Sequence, residues 1–175
     1  MNANAFRHFY DYYFAENRKI WDSYVTPLSY EQFTQHVSYS HGSVRDQIVH
    51  LINVDEGWFS ELRGLEPSEP LPLANVDDRK IIRAHWDDVE QRMRDYLAEL
   101  RDETLLDQPI EKPEEDKGLF VWQVFLHVVN HGTDHRAQLL RLLNDLGVKT
   151  TSQDYIFYVY DNPWLFFHST LRPLC

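Results

Sequence analysis

Apolar side chains recur along this chain at the three- and four-residue steps of a helix face, and nowhere with the strict alternation of a half-buried strand. From Ala3 to Tyr24, Phe6, Phe9, Tyr10, Tyr13, Phe14, Ile20 and Trp21 keep this rhythm until Pro27 stops it, which predicts a first helix. A short connection, with a helical turn over Tyr30 to Phe33, leads to Ser43, whose hydroxyl can cap a second helix. That helix is predicted over Val44 to Leu62, with Val44, Ile48, Leu51, Trp58, Phe59 and Leu62 on its buried face and Gly64 ending it. Pro67, Pro70 and Pro72 make the next segment a connector within one domain, since proline cannot continue a helix. Ile81, Ile82, Trp86, Val89, Met93, Tyr96, Leu97 and Leu100 predict a third amphipathic helix from Asp77 to about Arg101. The acidic stretch Asp102 to Gly118 contains Pro109 and Pro113 and offers Gln108 to Lys112 as its only extended candidate.

A fourth helix is predicted from about Leu119 to Gly147, followed by a short one over Asp154 to Tyr160 and an aromatic tail opened by Asn162 and Pro163. The aromatics between Tyr155 and Phe167 pack onto their own bundle or contribute to a subunit contact. Four long amphipathic helices without strand alternation predict an all-α fold, a four-helix bundle with a short C-terminal helix, in a single domain spanning residues 1–175.

Composition narrows the function classes. A hydrophobic share of 43% in 175 residues supplies a core for one domain. No segment approaches the roughly 18 consecutive apolar residues of a membrane span, and Asn2, Asn4, Arg7 and Asp11 break the pattern of a signal peptide, so a cytoplasmic protein is expected. The single Cys175 excludes an intramolecular disulfide and, at a chain terminus, makes a poor nucleophile. A net charge of −11 with no Lys/Arg cluster argues against nucleic acid as a partner; ordinary solubility accounts for the acidity.

The fourth helix carries the chemistry. His127, His131 and His135 recur every four residues, so neighbouring pairs share a helix face and can converge on one metal ion. A wheel of this helix gathers Val121, Val124, Phe125, Val128, Leu139, Leu142 and Leu146 into one stripe, with His135 near its middle, His131 just inside its margin and His127 at its edge. Interior imidazoles must be hydrogen-bonded or ligated, or they cost a few kcal/mol each. His127 and His135 stand roughly 12 Å apart along the axis, too far to share an ion. On the second helix His50 lies toward the edge of the apolar face while Asp55 sits near its centre, either a reserve ligand or a buried carboxylate that orients a ligand imidazole. Asp134 and Arg136 turn to either side of His135, toward other surface or interhelical groups, and His8, His36, His41, His85 and His168 are assigned surface or loop roles.

The run Ser43-Val-Arg-Asp-Gln-Ile-Val-His50, followed by His127-Val-Val-Asn-His131-Gly-Thr-Asp-His135-Arg-Ala-Gln138, resembles the DinB/YfiT-like family over most of the chain, and the aromatic Gln153 to Tyr158 adds to the likeness. The resemblance implies an up-down-down-up bundle, a homodimer and a metal triad of His50, His131 and His135. Ala137 stands where many members carry glycine, a change that favours the helix. Three imidazoles leave an ion an open position, and an all-nitrogen set suits zinc or nickel. A water or thiol there becomes a nucleophile at neutral pH. Two readings follow: a metal-dependent S-transferase using a low-molecular-weight thiol, or a hydrolase, acting on a small molecule; alternatively, a non-catalytic stress-response or ligand-binding module with a structural metal.

Overall fold

The computed structural model describes residues 1–66, 68–69, 71, 79–112 and 114–162. Helices form where the apolar rhythm places them: α1 (Ala3–Ile20), α2 (Tyr30–Thr34), α3 (Val44–Leu62), α4 (Arg79–Glu99), α5 (Val121–Asp145) and α6 (Tyr155–Asp161). A π-helical turn, Trp21–Val25, prolongs α1, and a 3-10 turn, Glu103–Leu106, follows α4. Among the described residues there is no strand, so Gln108 to Lys112 is a loop and the all-α expectation holds. None of these helices is long and apolar enough to cross a membrane. Residues 72–78 and 163–175, and with them the predicted start of the third helix at Asp77, most of the proline connector and the tail beyond Asn162, lie outside the described part.

Local capping fixes the boundaries. Asn2 accepts from the Ala5 amide at 2.9 Å, and Ser43 from Asp46 at 3.0 Å, each satisfying a helix-start donor that has no partner within its own helix. Ser29 and Gln32 bond reciprocally to form a capping box that lets the five-residue α2 persist. Phe120 cannot cap with its side chain, and its amide instead donates to Gln123 Oε1 at 2.9 Å.

α3 packs on both α4 and α5, and α1 packs on both α4 and α5, so the four long helices surround a common core. At its centre Phe125 meets Phe6, Tyr10 and Phe59 at ring-centroid distances of 5.2, 5.4 and 5.8 Å. Each such buried ring contributes on the order of 2–3 kcal/mol by removal of apolar area from water. The buried Tyr10 hydroxyl is satisfied by the Phe125 carbonyl at 3.1 Å. After α5 the chain runs back across α1. Tyr24 Oη lies 2.8 Å from Thr151 Oγ1, Lys19 Nζ donates to the Ser152 carbonyl at 3.1 Å, and the Tyr12 hydroxyl donates to the Gln153 carbonyl. Tyr155 and Tyr158 then pack edge-on or tilted against His8 and Tyr12. The start of the aromatic tail thus covers its own helices, while Ile156, Phe157 and Tyr160 remain exposed.

Candidate metal centre

α3 and α5 bring four imidazoles together at their shared margin with the α2–α3 loop. His50 from α3 faces His131 and His135 from α5 with ring centroids 5.2 and 4.5 Å away, and the two α5 rings are 4.2 Å apart. His50 Nε2 and His131 Nε2 approach to 3.3 Å. His41 from the loop stacks on His50 at 3.7 Å and 19°, and lies 5.2 Å from His135. One ligand nitrogen from each of His41, His50 and His135 falls within 4.8 Å of the other two, so this group could hold a metal ion. His127 packs its ring 5.0 Å from Trp58 and 5.8 Å from His131, one turn out of the cluster.

One donor pair, His50 and His131, has the spacing of two ligands on a transition ion. Two nitrogens each about 2.0–2.1 Å from a tetrahedral centre stand roughly 3.3–3.4 Å apart, the separation between His50 and His131. Burial, then the imidazoles of His41, His135 and His131, push the His50 pKa down to about 4. Burial, then His135 and His127, push His131 down to about 4. Burial first and His41 next also lower His135. These rings are therefore uncharged at neutral pH, the form a metal requires.

Gln47, one turn before His50 and fully buried, organises this margin. Its side-chain nitrogen lies 2.6 Å from His135 Nδ1 and 3.3 Å from the His135 carbonyl, while its oxygen accepts from Ser40 Oγ at 2.7 Å. With His135 Nδ1 engaged, Nε2 is the nitrogen left for a ligand role. An ion held at Nε2 would need Nδ1 to carry the proton and the Gln47 amide to turn its oxygen to accept from it, giving up the bond from its nitrogen to the His135 carbonyl.

Several expectations need correcting. The wheel put His135 at the middle of the α5 stripe, yet His131 and His135 are half-buried and the core positions at this level are Val128, Val129, Gly132, Arg136 and Leu139. The four-residue histidine step drifts off the 3.6-residue core face and opens onto the α3–α5 groove. Asp55 is buried as expected, but its bonding partner is neither an ion-binding group nor an imidazole: both carboxylate oxygens accept from the Tyr13 hydroxyl, at 2.8 and 3.0 Å. Burial raises its pKa to about 7 against the opposing pull of that hydrogen bond and of Arg136. His41, expected to play only a surface or loop part, belongs to the cluster. Arg136 does bond between helices, and is wholly buried; its guanidinium donates to Asn17, Gln153 and Thr133 and lies 4.7 Å over the Tyr13 ring. Asp134 stays on the surface, accepting from Gln138 at 2.9 Å.

Gly132 shows why a small residue sits between two histidines. A Cβ there would lie 2.3 Å from Tyr13 Cε2 and 2.7 Å from its hydroxyl. Only hydrogen at this position lets the Tyr13 ring pass α5 and reach Asp55. Position-by-position reading missed Gly132, Gln47 and His41; a polar Gln47 on the apolar face of α3 was the one signal in the sequence that could have pointed to the loop anchor. A cleft of about 620 Å³ lies elsewhere, lined by Tyr12, Thr133, Gln153 and Tyr155 among others, and the histidines do not border it.

Comparison with known proteins bears on the family of the chain. A family model described as "DinB family" matches residues 1–165. The chain is also similar to the protein called "Protein DinB" of Bacillus subtilis (strain 168), 25% identical over 167 residues that cover 91% of this chain and 96% of that protein.

Proposed function

Since the chain belongs to the DinB family, we propose that it is a divalent-metal protein in which His50, His131 and His135 hold one zinc or nickel ion and serve thiol S-transfer or hydrolysis on a small molecule. The observation that carries this reading is the 3.3 Å approach of His50 Nε2 to His131 Nε2, with His135 completing a face of neutral imidazoles. When bound, the ion supplies a Lewis-acid centre at which a thiol or water loses its proton near neutral pH. The chain's own part is to hold the rings uncharged, to fix His135 through Gln47, and to leave the group half-exposed so that a substrate reaches it from solvent. The ring of contacts among α1, α3, α4 and α5 supports an up-down-down-up four-helix bundle, and the exposed Ile156, Phe157 and Tyr160 of α6 support a homodimer.

One observation favours a second reading. His41 brings a fourth imidazole to the group, and a site closed by four protein nitrogens is structural or ligand-storing in character. Elemental analysis of the purified protein separates ligands from bystanders: one ion per chain is expected in the native protein and in His127→Ala, none in His135→Ala, and almost none in His131→Ala or His50→Ala. Equal loss from all four variants overturns the ligand assignment. Consumption of a low-molecular-weight thiol with a panel of epoxides and haloalkanes then tests the chemistry; turnover that persists without thiol removes the transferase and leaves the hydrolase.

A further inference from the structure

Resting on that metal reading, we propose that His41 is a fourth, releasable ligand of the same ion, carried on the α2–α3 loop so that it covers the position the other three imidazoles leave to a substrate. The loop is built to deliver this ring. Ser40 and Gly42 both take positive φ, +51° and +97°, which turns the chain sharply on either side of His41. The Val37 amide donates to the Gly42 carbonyl at 2.6 Å and the Gly42 amide to the Tyr39 carbonyl at 3.0 Å, closing a tight loop. A Cβ at Gly42 would stand 2.8 Å from the His36 ring, so the turn is packed as well as bent. Ser40 Oγ sits between the side-chain oxygens of Gln47 on α3 and Gln138 on α5, to either of which it can donate, placing the loop against both helices that carry the other ligands.

A non-glycine residue held at positive φ is strained, and such strain persists only where surroundings enforce it. Here it is enforced beside the one exposed imidazole of the cluster, while His50 and His135 are half-buried. Two parallel rings cannot both aim their lone pairs at one point between them. Ligation by His41 therefore requires its ring to tilt out of the 19° stack on His50, a side-chain rotation that its exposure permits. Stacked and tilted positions of one side chain give the site an open form and a covered form without any change in the helices. This places both readings of the site on one structure: covered, it is a four-nitrogen storage site; uncovered, it is an open centre.

The test uses the full chain loaded with Co(II) or Zn(II), comparing the native protein with His41→Ala and His135→Ala. If His41 is a ligand, His41→Ala still binds one ion per chain, but its Zn(II) affinity by chelator competition falls tenfold or more. The visible bands of its Co(II) form weaken and shift as an imidazole is replaced by water, and added free imidazole restores them. His135→Ala binds no stoichiometric ion. Native affinity together with a native Co(II) spectrum in His41→Ala overturns the fourth-ligand proposal while leaving the metal reading intact. Failure of the native protein to bind either ion, or retention by His135→Ala, sinks the metal reading and this proposal with it. Far-ultraviolet circular dichroism checks that the exposed-loop variant is folded.

Discussion

Substituting Gly132 by alanine sets two effects of opposite sign against each other. Alanine is the better helix former by about 1 kcal/mol, and Gly132 lies mid-way along α5, so propensity alone predicts stabilisation. The structure predicts the reverse. The new methyl would stand 2.3, 2.7 and 2.9 Å from three atoms of the Tyr13 ring, which is fully buried against Tyr10 and Phe14 and has no free direction in which to move. Overpacking of this kind costs roughly 1–3 kcal/mol. Displacing Tyr13 also pulls its hydroxyl from the buried Asp55, a bond to a carboxylate worth about 1.5–3 kcal/mol. Subtracting the propensity gain leaves a destabilisation of about 3 kcal/mol, or a fall in Tm of roughly 6–12 °C for a chain of this size. Urea unfolding at pH 7 measures it, with the slope checked for constancy. Repeating Gly132→Ala in a Tyr13→Leu background isolates the clash: the penalty should shrink below about 1 kcal/mol or change sign. A Gly132→Ala protein as stable as the native one refutes the argument.

Asp55→Asn keeps an acceptor for Tyr13 and removes the titration. Because the folded pKa of about 7 stands above the ordinary 3.8, the folded chain holds this proton more tightly than the unfolded one. The stability it contributes is complete below about pH 4 and is lost as pH rises toward 7, by an amount on the order of 3–4 kcal/mol. The variant should gain on the native protein in urea midpoint between pH 4.5 and pH 8; an equal difference at both pH values would show that the carboxyl does not titrate in this window. Gln47→Ala should weaken Zn(II) binding by about tenfold to a hundredfold, because His135 loses the partner that fixes its ring. Chelator competition reads that loss, Gln47→Glu should recover part of it, and unchanged affinity would assign Gln47 to the loop alone.

The helices were legible because their signals are local. Ser43 and Leu62 bound α3 as predicted, since a capping hydroxyl and an apolar rhythm are written in adjacent residues. The four-residue step that sets His131 and His135 side by side on α5 is local in the same way. His41 was not legible, because a ring delivered by two positive-φ residues and a side-chain anchor has no period to detect. Arg136 was read as turning to a surface or interhelical partner and does bond between helices, but its complete burial had no local signal. A cation wholly inside the core is rare, and only the joint presence of Asn17, Thr133 and Gln153, from three separate parts of the chain, satisfies it. Asp55 was read correctly as central, but as a reserve ligand or the orienter of a ligand imidazole; its actual partner Tyr13 is 42 residues away on another helix and reachable only past Gly132.

The strap that follows α5 bears on how this protein is made. Its bonds join Tyr12, Lys19 and Tyr24 to residues 127 to 141 positions further along. On a ribosome the first helix emerges long before the segment that will fasten it, and Tyr12 and Tyr24 must wait without their partners meanwhile. Contacts this distant in sequence form late and slow the final step of assembly. Newly synthesised chains should consequently be most vulnerable to proteases and to sticking together after the four long rods have been made and before residues 151–153 have laced them.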